Sequence, residues 1–202
     1  EGTSELLKRP SVQLESYLQR TDKQLLWRYY ALHGRCVEAC QVLLGIAEDA
    51  SLSLSLDDRI HCMASALHNA RTAASLLSDP RANELIRKVS DNLDVAKVQL
   101  RAIAELERSP MESLVESAES ERTQGQVITR EDALRRLRLQ LLDLSTMYNE
   151  LARPWNLWET ELDILRCASY NDAVLVQSLW SRIVHAEIDR SAESVGFRCL
   201  QQ

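Results

Sequence analysis

Five glycines and four prolines in 202 residues give this chain few places to turn, and that scarcity constrains its fold more than any other feature. Glycine supplies positive φ and proline fixes φ, and a β-sandwich needs such turn residues about every 8–12 positions. The stretches between the breakers are filled with Leu, Ala, Glu, Arg and Gln, which lose little rotamer freedom in a helix. Their apolar residues recur at steps of three and four, the period of a helix with one buried face. The chain therefore reads as all-α.

Caps and stops divide it. Thr21-Asp22-Lys23-Gln24 opens a helix carrying Leu25, Leu26, Trp27, Tyr29 and Tyr30, which Gly34 ends. A second helix with Val37, Cys40, Leu43, Leu44 and Ala47 starts almost at once, so the two must fold back as an αα-hairpin. Ser55-Leu56-Asp57-Asp58 has the form of a capping box and opens a helix running to about Ser78, where Asp79-Pro80 stops it. From Ala82 to Glu107, one stripe holds Leu85, Val89, Leu93, Ala96, Leu100 and Ile103, and a second holds Val95, Val98 and Ala102. A helix apolar on two faces has neighbours on both, which predicts stacked layers.

Residues 108–128 are rich in Ser and Glu and predict a mobile loop inside a single helical segment spanning 1–202. Thr129 then caps a helix whose stripe, Leu134, Leu137, Leu141, Leu144, Tyr148 and Leu151, runs without a break to Arg153-Pro154. Pro154 starts a helix with Trp155, Trp158, Leu162 and Leu165, and Asn171-Asp172 caps a last one with Leu175, Leu179, Trp180 and Ile183, fading after Asp189. The expected architecture is an irregular α-solenoid of antiparallel pairs, about seven or eight helices; a compact bundle is the alternative. The chain starts at Glu1 rather than Met, which predicts a piece of a longer protein.

The charge excludes several function classes. A net charge of −6 is the opposite of a nucleic-acid surface, and the basic run Arg135-Arg136-Leu137-Arg138 sits beside Glu131 and Asp132 as a solvated helix face. No apolar run reaches the roughly 20 residues of a membrane span, which predicts no direct membrane insertion by this segment. Five cysteines, an odd number without paired spacing, predict free thiols in a reducing compartment.

Catalytic and metal chemistry have no visible seat, so the chain is expected to be no enzyme and to carry no cofactor. The glycines stand too far apart to cradle a phosphate. Cys36 and Cys40 share a helix face but lack a second ligand pair and read as small buried apolar residues. His61 and His68, seven apart, read as polar-face histidines. Asp57-Asp58 and Glu131-Asp132 lie in first helical turns, where negative charge complements the helix dipole. The densest chemical feature is aromatic: Trp155, Trp158, Tyr170 and Trp180, either packed between helices or offered to a partner. Core is expected for Trp158 and Trp180, whose rings can converge across the short Ser169–Asp172 turn, and exposure for Trp155.

Six blocks in order carry a resemblance. Ala39-Cys40-Gln41-Val42-Leu43 with Leu44-Gly45-Ile46-Ala47-Glu48 looks like A-x-V-L-x-x-L-A. Leu54-Ser55-Leu56-Asp57-Asp58-Arg59-Ile60 resembles I-S-L-x-x-R-I/L-E, with Ala66, Leu67, Ala70 and Arg71 after it. Leu93 to Leu100 is similar to E-V-A-R-I-Q-L, and Leu144 to Pro154, with Tyr148-Asn149-Glu150-Leu151-Ala152, to L-Y-x-E-F-A-D-P. Cys167 to Asp172 resembles C-A-G-Y-x-D-P, and Leu175 to Trp180 resembles L-V-Q-T-L-W. In this order, over about residues 25–185, they resemble the nucleoporin 155/170 family, large non-FG scaffold proteins of the inner ring of the nuclear pore complex. Ser169 stands where the pattern has Gly, Ala173 where it has Pro, and Arg153 where it has Asp.

The resemblance implies a fragment of a C-terminal α-solenoid that docks other nucleoporins at the nuclear envelope, including short segments of linker or FG-bearing ones, in support of nucleocytoplasmic transport. The acidic charge, for its part, predicts no direct contact with nucleic acid. A helical-repeat adaptor or cargo-binding module outside the pore is the alternative function.

Overall fold

The computed structural model describes residues 2–76, 79–108 and 129–199, with side chains over 5–76, 79–108 and 129–191. The expected loop at 108–128 lies, from 109 on, outside the described residues. Two compact units are present: Glu1–Ala96 with Arg138–Leu141, and Lys97–Leu137 with Leu142–Gln202. Among the described residues there are ten helical elements and no strand, a few more helices than the sequence pattern counted.

The first unit begins with two helices that the sequence pattern does not announce, α1 (Gly2–Leu7) and α2 (Val12–Thr21). Ser11 caps α2, its hydroxyl accepting from the Leu14 amide at 3.3 Å. Asp22 then closes α2 and opens α3 (Lys23–Leu32), its carboxylate accepting from Leu25 N–H at 3.0 Å. Gly34, at φ +70, makes the left-handed step into α4 (Cys36–Glu48). α3 packs on α4, and α4 on α5 (Leu56–Leu76). The Ser55 box forms as the sequence predicts: Asp58 N–H donates to Ser55 Oγ at 3.1 Å and Ser55 Oγ donates to Asp58 Oδ2 at 2.7 Å.

Alanines sealed from water, Ala66, Ala70 and Ala73, line α5 and let helices approach closely. Cys36, Val37, Ala73 and Ala82 form one core cluster; Leu7, Leu18, Leu26, Tyr29, Tyr30 and Ala39 form another. Cys36 and Cys40 are buried, as small apolar residues are, and burial pushes the Cys40 thiol up to about 11. Among the described residues no three His, Cys, Asp or Glu side chains gather where they could hold a metal ion, and no helix is long and apolar enough to cross a membrane.

One buried cation organises this unit. Arg59 is 0% exposed and donates to the carbonyls of Ala47 (2.7 Å), Asp49 (3.0 Å), Leu52 (2.9 Å) and Leu139 (3.2 Å). The first three lie in the last turn of α4 and just past it, where carbonyls lack intrahelical partners. The guanidinium fork supplies donors in the right number and plane.

α6 (Pro80–Arg108) contributes its residues through Ala96 to the first unit and from Lys97 to the second. Pro80 occupies its first position, where a missing N–H costs nothing. Buried Ala82, Val89, Ala96, Val98, Ala102 and Leu106 draw on both predicted stripes, whereas Leu100 is exposed.

The second unit corrects the expected long helix after Thr129. α7 (Arg130–Leu139) stops, and helix resumes at Leu144–Thr146 and continues as a π-helical stretch, Met147–Ala152; these two together are α8. The apolar spacing runs across the gap, so periodicity cannot show it. Gln99, 0% exposed, holds the break: its amide nitrogen donates to the Leu137 carbonyl at 2.5 Å and its oxygen accepts from Leu142 N–H at 3.0 Å. Asp143 then caps the restart through Thr146 N–H at 2.9 Å. A turn with Asn156 at φ 52 leads into α9 (Trp158–Cys167), which begins later than Pro154 suggests. α10 (Ala173–Cys199), capped by Asp172, outruns the point where the sequence pattern fades.

Candidate functional site

The four aromatic residues lie around α9 and α10. Trp155 is on the turn before α9 and Trp158 at its first position, both half-buried. The indole Nε1 of Trp158 is sealed from solvent without a hydrogen-bond partner among the described residues. Tyr170, on the turn between the helices, is 56% exposed, and Trp180 is 55% exposed. Among the described residues the ring pairs in contact are Tyr29–Tyr30 and Tyr29–His33, so no ring contact joins these four.

Trp180 therefore does not occupy the core position expected for it. Its neighbour Leu179, a rotation of about 100° around the helix, does, at 2% exposed. Leu175, Leu179, Ile183 and Ala186 form the inward face of α10, which packs on α9. Val174, Trp180, Val184 and Ile188, all exposed, fall within an arc of about 120° on a different side. α10 thus carries two apolar faces, one covered and one open.

α9 is held from its N-terminus by an anion. Glu105 on α6 accepts from the backbone N–H of Glu159 (3.1 Å) and Thr160 (2.9 Å) and from the Thr160 hydroxyl (2.7 Å). These amides lack intrahelical partners, and the helix dipole favours a carboxylate there. Burial raises the Glu105 pKa against those hydrogen bonds. Salt bridges from Arg101 to Asp163 (2.8 Å) and from Arg108 to Glu159 (3.2 Å) flank the same seam. At the far end the chain makes a Schellman turn: Tyr170 N–H donates to the Leu165 carbonyl at 2.9 Å, with Ser169 at φ 53.

Glu161, on α9, is 5% exposed. Burial raises its pKa, while Arg182 and then Arg153 oppose the shift. Sequence reasoning passed over this carboxylate because Glu161 reads as an ordinary solvated position in an acidic first turn.

The arrangement defines a class: an all-helical segment built of antiparallel helix pairs, an α-solenoid. The chain belongs to the non-repetitive/WGA-negative nucleoporin C-terminal family, whose model matches residues 1–199. It is 28% identical over 172 residues to the nuclear pore complex protein Nup154 of Drosophila melanogaster, covering 82% of this chain and 11% of that protein. To the nucleoporin NUP170 of Chaetomium thermophilum it is 26% identical over 201 residues, 95% of this chain and 13% of that one. It thus spans only a small part of the length of the relatives it matches.

The solved C-terminal domain of Chaetomium thermophilum Nup170 superposes with a TM-score of 0.73 at 24% identity, over 91% of this chain and 32% of that one. The same domain solved in complex with Nup145N gives 0.72 at 23% identity, over 91% and 34%. These structures share the α-solenoid fold.

Proposed function

We propose that this chain is a structural, non-catalytic segment of the nuclear pore complex scaffold, at the nuclear envelope, that docks other nucleoporins through the open face of α10. The carrying observation is the second apolar face: Val174, Trp180, Val184 and Ile188 stay exposed while Leu179 satisfies the core. A solvated helix of a self-sufficient domain keeps its outer face polar. The Nup170 domain solved with Nup145N supports nucleoporin segments as the class of partner. Short apolar segments of linker or FG-bearing nucleoporins would lie along the stripe with Trp180 as anchor, and Tyr170, Trp155 and Trp158 are further candidate contacts for them. A role at the pore in nucleocytoplasmic transport requires neither nucleic-acid binding nor membrane insertion by this segment.

Peptides tiled across linker nucleoporins test the reading. Some should bind the chain, and Trp180→Ala with Val184→Ser should weaken that binding at least about tenfold while leaving the urea midpoint in place. Unchanged binding in that variant would remove the α10 face from the interaction.

A further inference from the structure

α2 and α3 are two ten-residue helices with a single residue, Asp22, between them. Asp22 is extended, at φ −149 and ψ 90, and serves both helix ends at once. Its N–H donates to the Leu18 carbonyl at 2.9 Å, ending α2, and its carbonyl accepts from Leu26 N–H at 3.1 Å, starting α3. Its carboxylate accepts from Leu25 N–H at 3.0 Å, a donor that a continuous helix would give to the Thr21 carbonyl. Locally, then, one side chain holds the break. The apolar spacing does not register it: in an unbroken helix from Val12 to Leu32, the side chains of Leu14, Leu18, Leu25 and Tyr29 fall within an arc of about 60°.

The attachment of α1 and α2 to α3 is largely polar. Ser11 N–H donates to the Tyr29 hydroxyl at 3.0 Å, and that hydroxyl donates back to the Ser11 carbonyl at 3.3 Å. Glu15 accepts from the Tyr30 hydroxyl at 2.8 Å and from Arg35 at 2.9 Å, and Gln19 donates to the same Tyr30 oxygen at 3.1 Å. His33 Nε2 donates to the Leu7 carbonyl at 3.0 Å. Among the described residues, Leu7 and Leu18 are the buried apolar side chains that α1 and α2 bring to this seat.

We propose that Asp22 is a hinge through which two copies of this chain exchange α1 and α2. When Asp22 turns helical, α2 and α3 fuse, and α1 and α2 swing off their own α3. The vacated seat then takes α1 and α2 of a second copy. The seat itself selects this occupant: its hydroxyls and Arg35 already match Ser11, Glu15 and Gln19, so a second copy restores every hydrogen bond. Each copy loses the Asp22 cap and gains helical bonds from Lys23, Gln24 and Leu25 across the closed break. The exchange involves only the first unit, so it stands apart from the open face of α10.

Sedimentation equilibrium tests the hinge. The wild type should show a weak dimer whose share grows with concentration. Asp22→Ala should raise the association constant at least about tenfold, since each dimer no longer gives up two caps. Adding Lys23→Pro should return it to the wild-type value or below. Proline suits the first position of α3, holds the residue before it extended, and has no N–H for the Gln19 carbonyl. Lys23→Pro alone should also lower the wild-type constant, so the hinge is tested even if Asp22→Ala loosens the fold. Trp180→Ala with Val184→Ser should leave the constant unchanged.

Cross-linking reads the exchange directly. In Asp22→Ala/Arg35→Lys, a carbodiimide should join Glu15 of one copy to the introduced amine of the other. After isotope-labelled and unlabelled copies are mixed, the linked peptides should carry one label of each kind. An association constant that Asp22→Ala leaves within about twofold of wild type, a dimer that survives Lys23→Pro, or a Glu15 link confined to one copy would each overturn the hinge.

Discussion

The first unit closes a helix end with a cation, and the second closes one with an anion. Arg59 donates hydrogen bonds to carbonyls at and beyond the C-terminus of α4; Glu105 accepts hydrogen bonds from amides at the N-terminus of α9. Each sign matches the dipole of the end it serves. The difference is in burial. Arg59 is fully sealed and answers four carbonyls at once, so it is irreplaceable by a smaller donor. Glu105 is only partly buried, and water can take over some of its work. A chain with few glycines for helix caps thus terminates helices with side chains from elsewhere in the fold.

The largest effect should come from the cation. Arg59→Met should cost about 3–5 kcal/mol in urea unfolding, because four carbonyls lose a fully buried charged donor together. Arg59→Lys should recover less than half of that, since one ammonium cannot span four carbonyls. A loss under about 1 kcal/mol for Arg59→Met would break the comparison at its strong end.

Gln99→Leu comes next, at about 2–3 kcal/mol, because it strands the Leu137 carbonyl and the Leu142 amide in a dry site. Backbone hydrogen exchange should speed up at Leu142 in particular. Exchange spread evenly over the unit would show that the amide does not hold the break locally.

Glu105→Ala should cost about 1–2 kcal/mol, the range for a lost helix cap, and Glu105→Gln roughly half as much because it keeps one acceptor. Equal losses for Glu105→Ala and Arg59→Met would show that burial does not separate the two closures.

The smallest effect concerns pH. Glu105 and Glu161 have raised pKa values in the fold, burial being the first cause for each. The protonated form is favoured there, so their contribution is present below the ordinary glutamate value of 4.5 and lost as pH rises through the raised one. Glu15, Asp49 and Asp79 of the first unit are lowered, chiefly by hydrogen bonds from Tyr30, Ser51 and Arg81 respectively. Their contribution is present above their unfolded values and lost as pH falls through the folded ones. Glu161→Gln should therefore stabilise the chain at pH 7 by roughly 1 kcal/mol or less, and the gain should shrink toward pH 4. A gain that grows on acidification would reverse the assignment.

The parts of this structure that were legible in the sequence are local. Asp22, Ser55, Thr129 and Asp172 each cap the helix they open through contacts two or three residues away, and Gly34 takes the positive φ its position requires. What escaped is tertiary. The 140–143 break lies inside an unbroken apolar spacing and is held by Gln99, some forty residues back. Arg59 reads as a first-turn polar residue until the carbonyls it serves are in place.

At the aromatic corner, adjacent Leu179 and Trp180 satisfy the same hydrophobic pattern, and only the packed fold says which turns inward. Ser169 shows the reverse. It occupies the left-handed region at φ 53, at a position where the family pattern has glycine, so Ser169→Gly should stabilise the chain by about 1 kcal/mol.

The π-helical stretch Met147–Ala152 has a consequence for how this chain can change length. A π turn bonds each amide to the carbonyl five residues back instead of four, so it holds one residue more than an α turn over the same path. Removing one residue elsewhere in a helix swings everything beyond it by about 100° and takes buried side chains out of the core. Removing the exposed Asn149 should instead convert the stretch to ordinary α-helix and leave Met147 and Leu151 facing inward as before. Met147–Ala152 is a built-in spare residue, the place where this chain can be shortened by one without disturbing its neighbours.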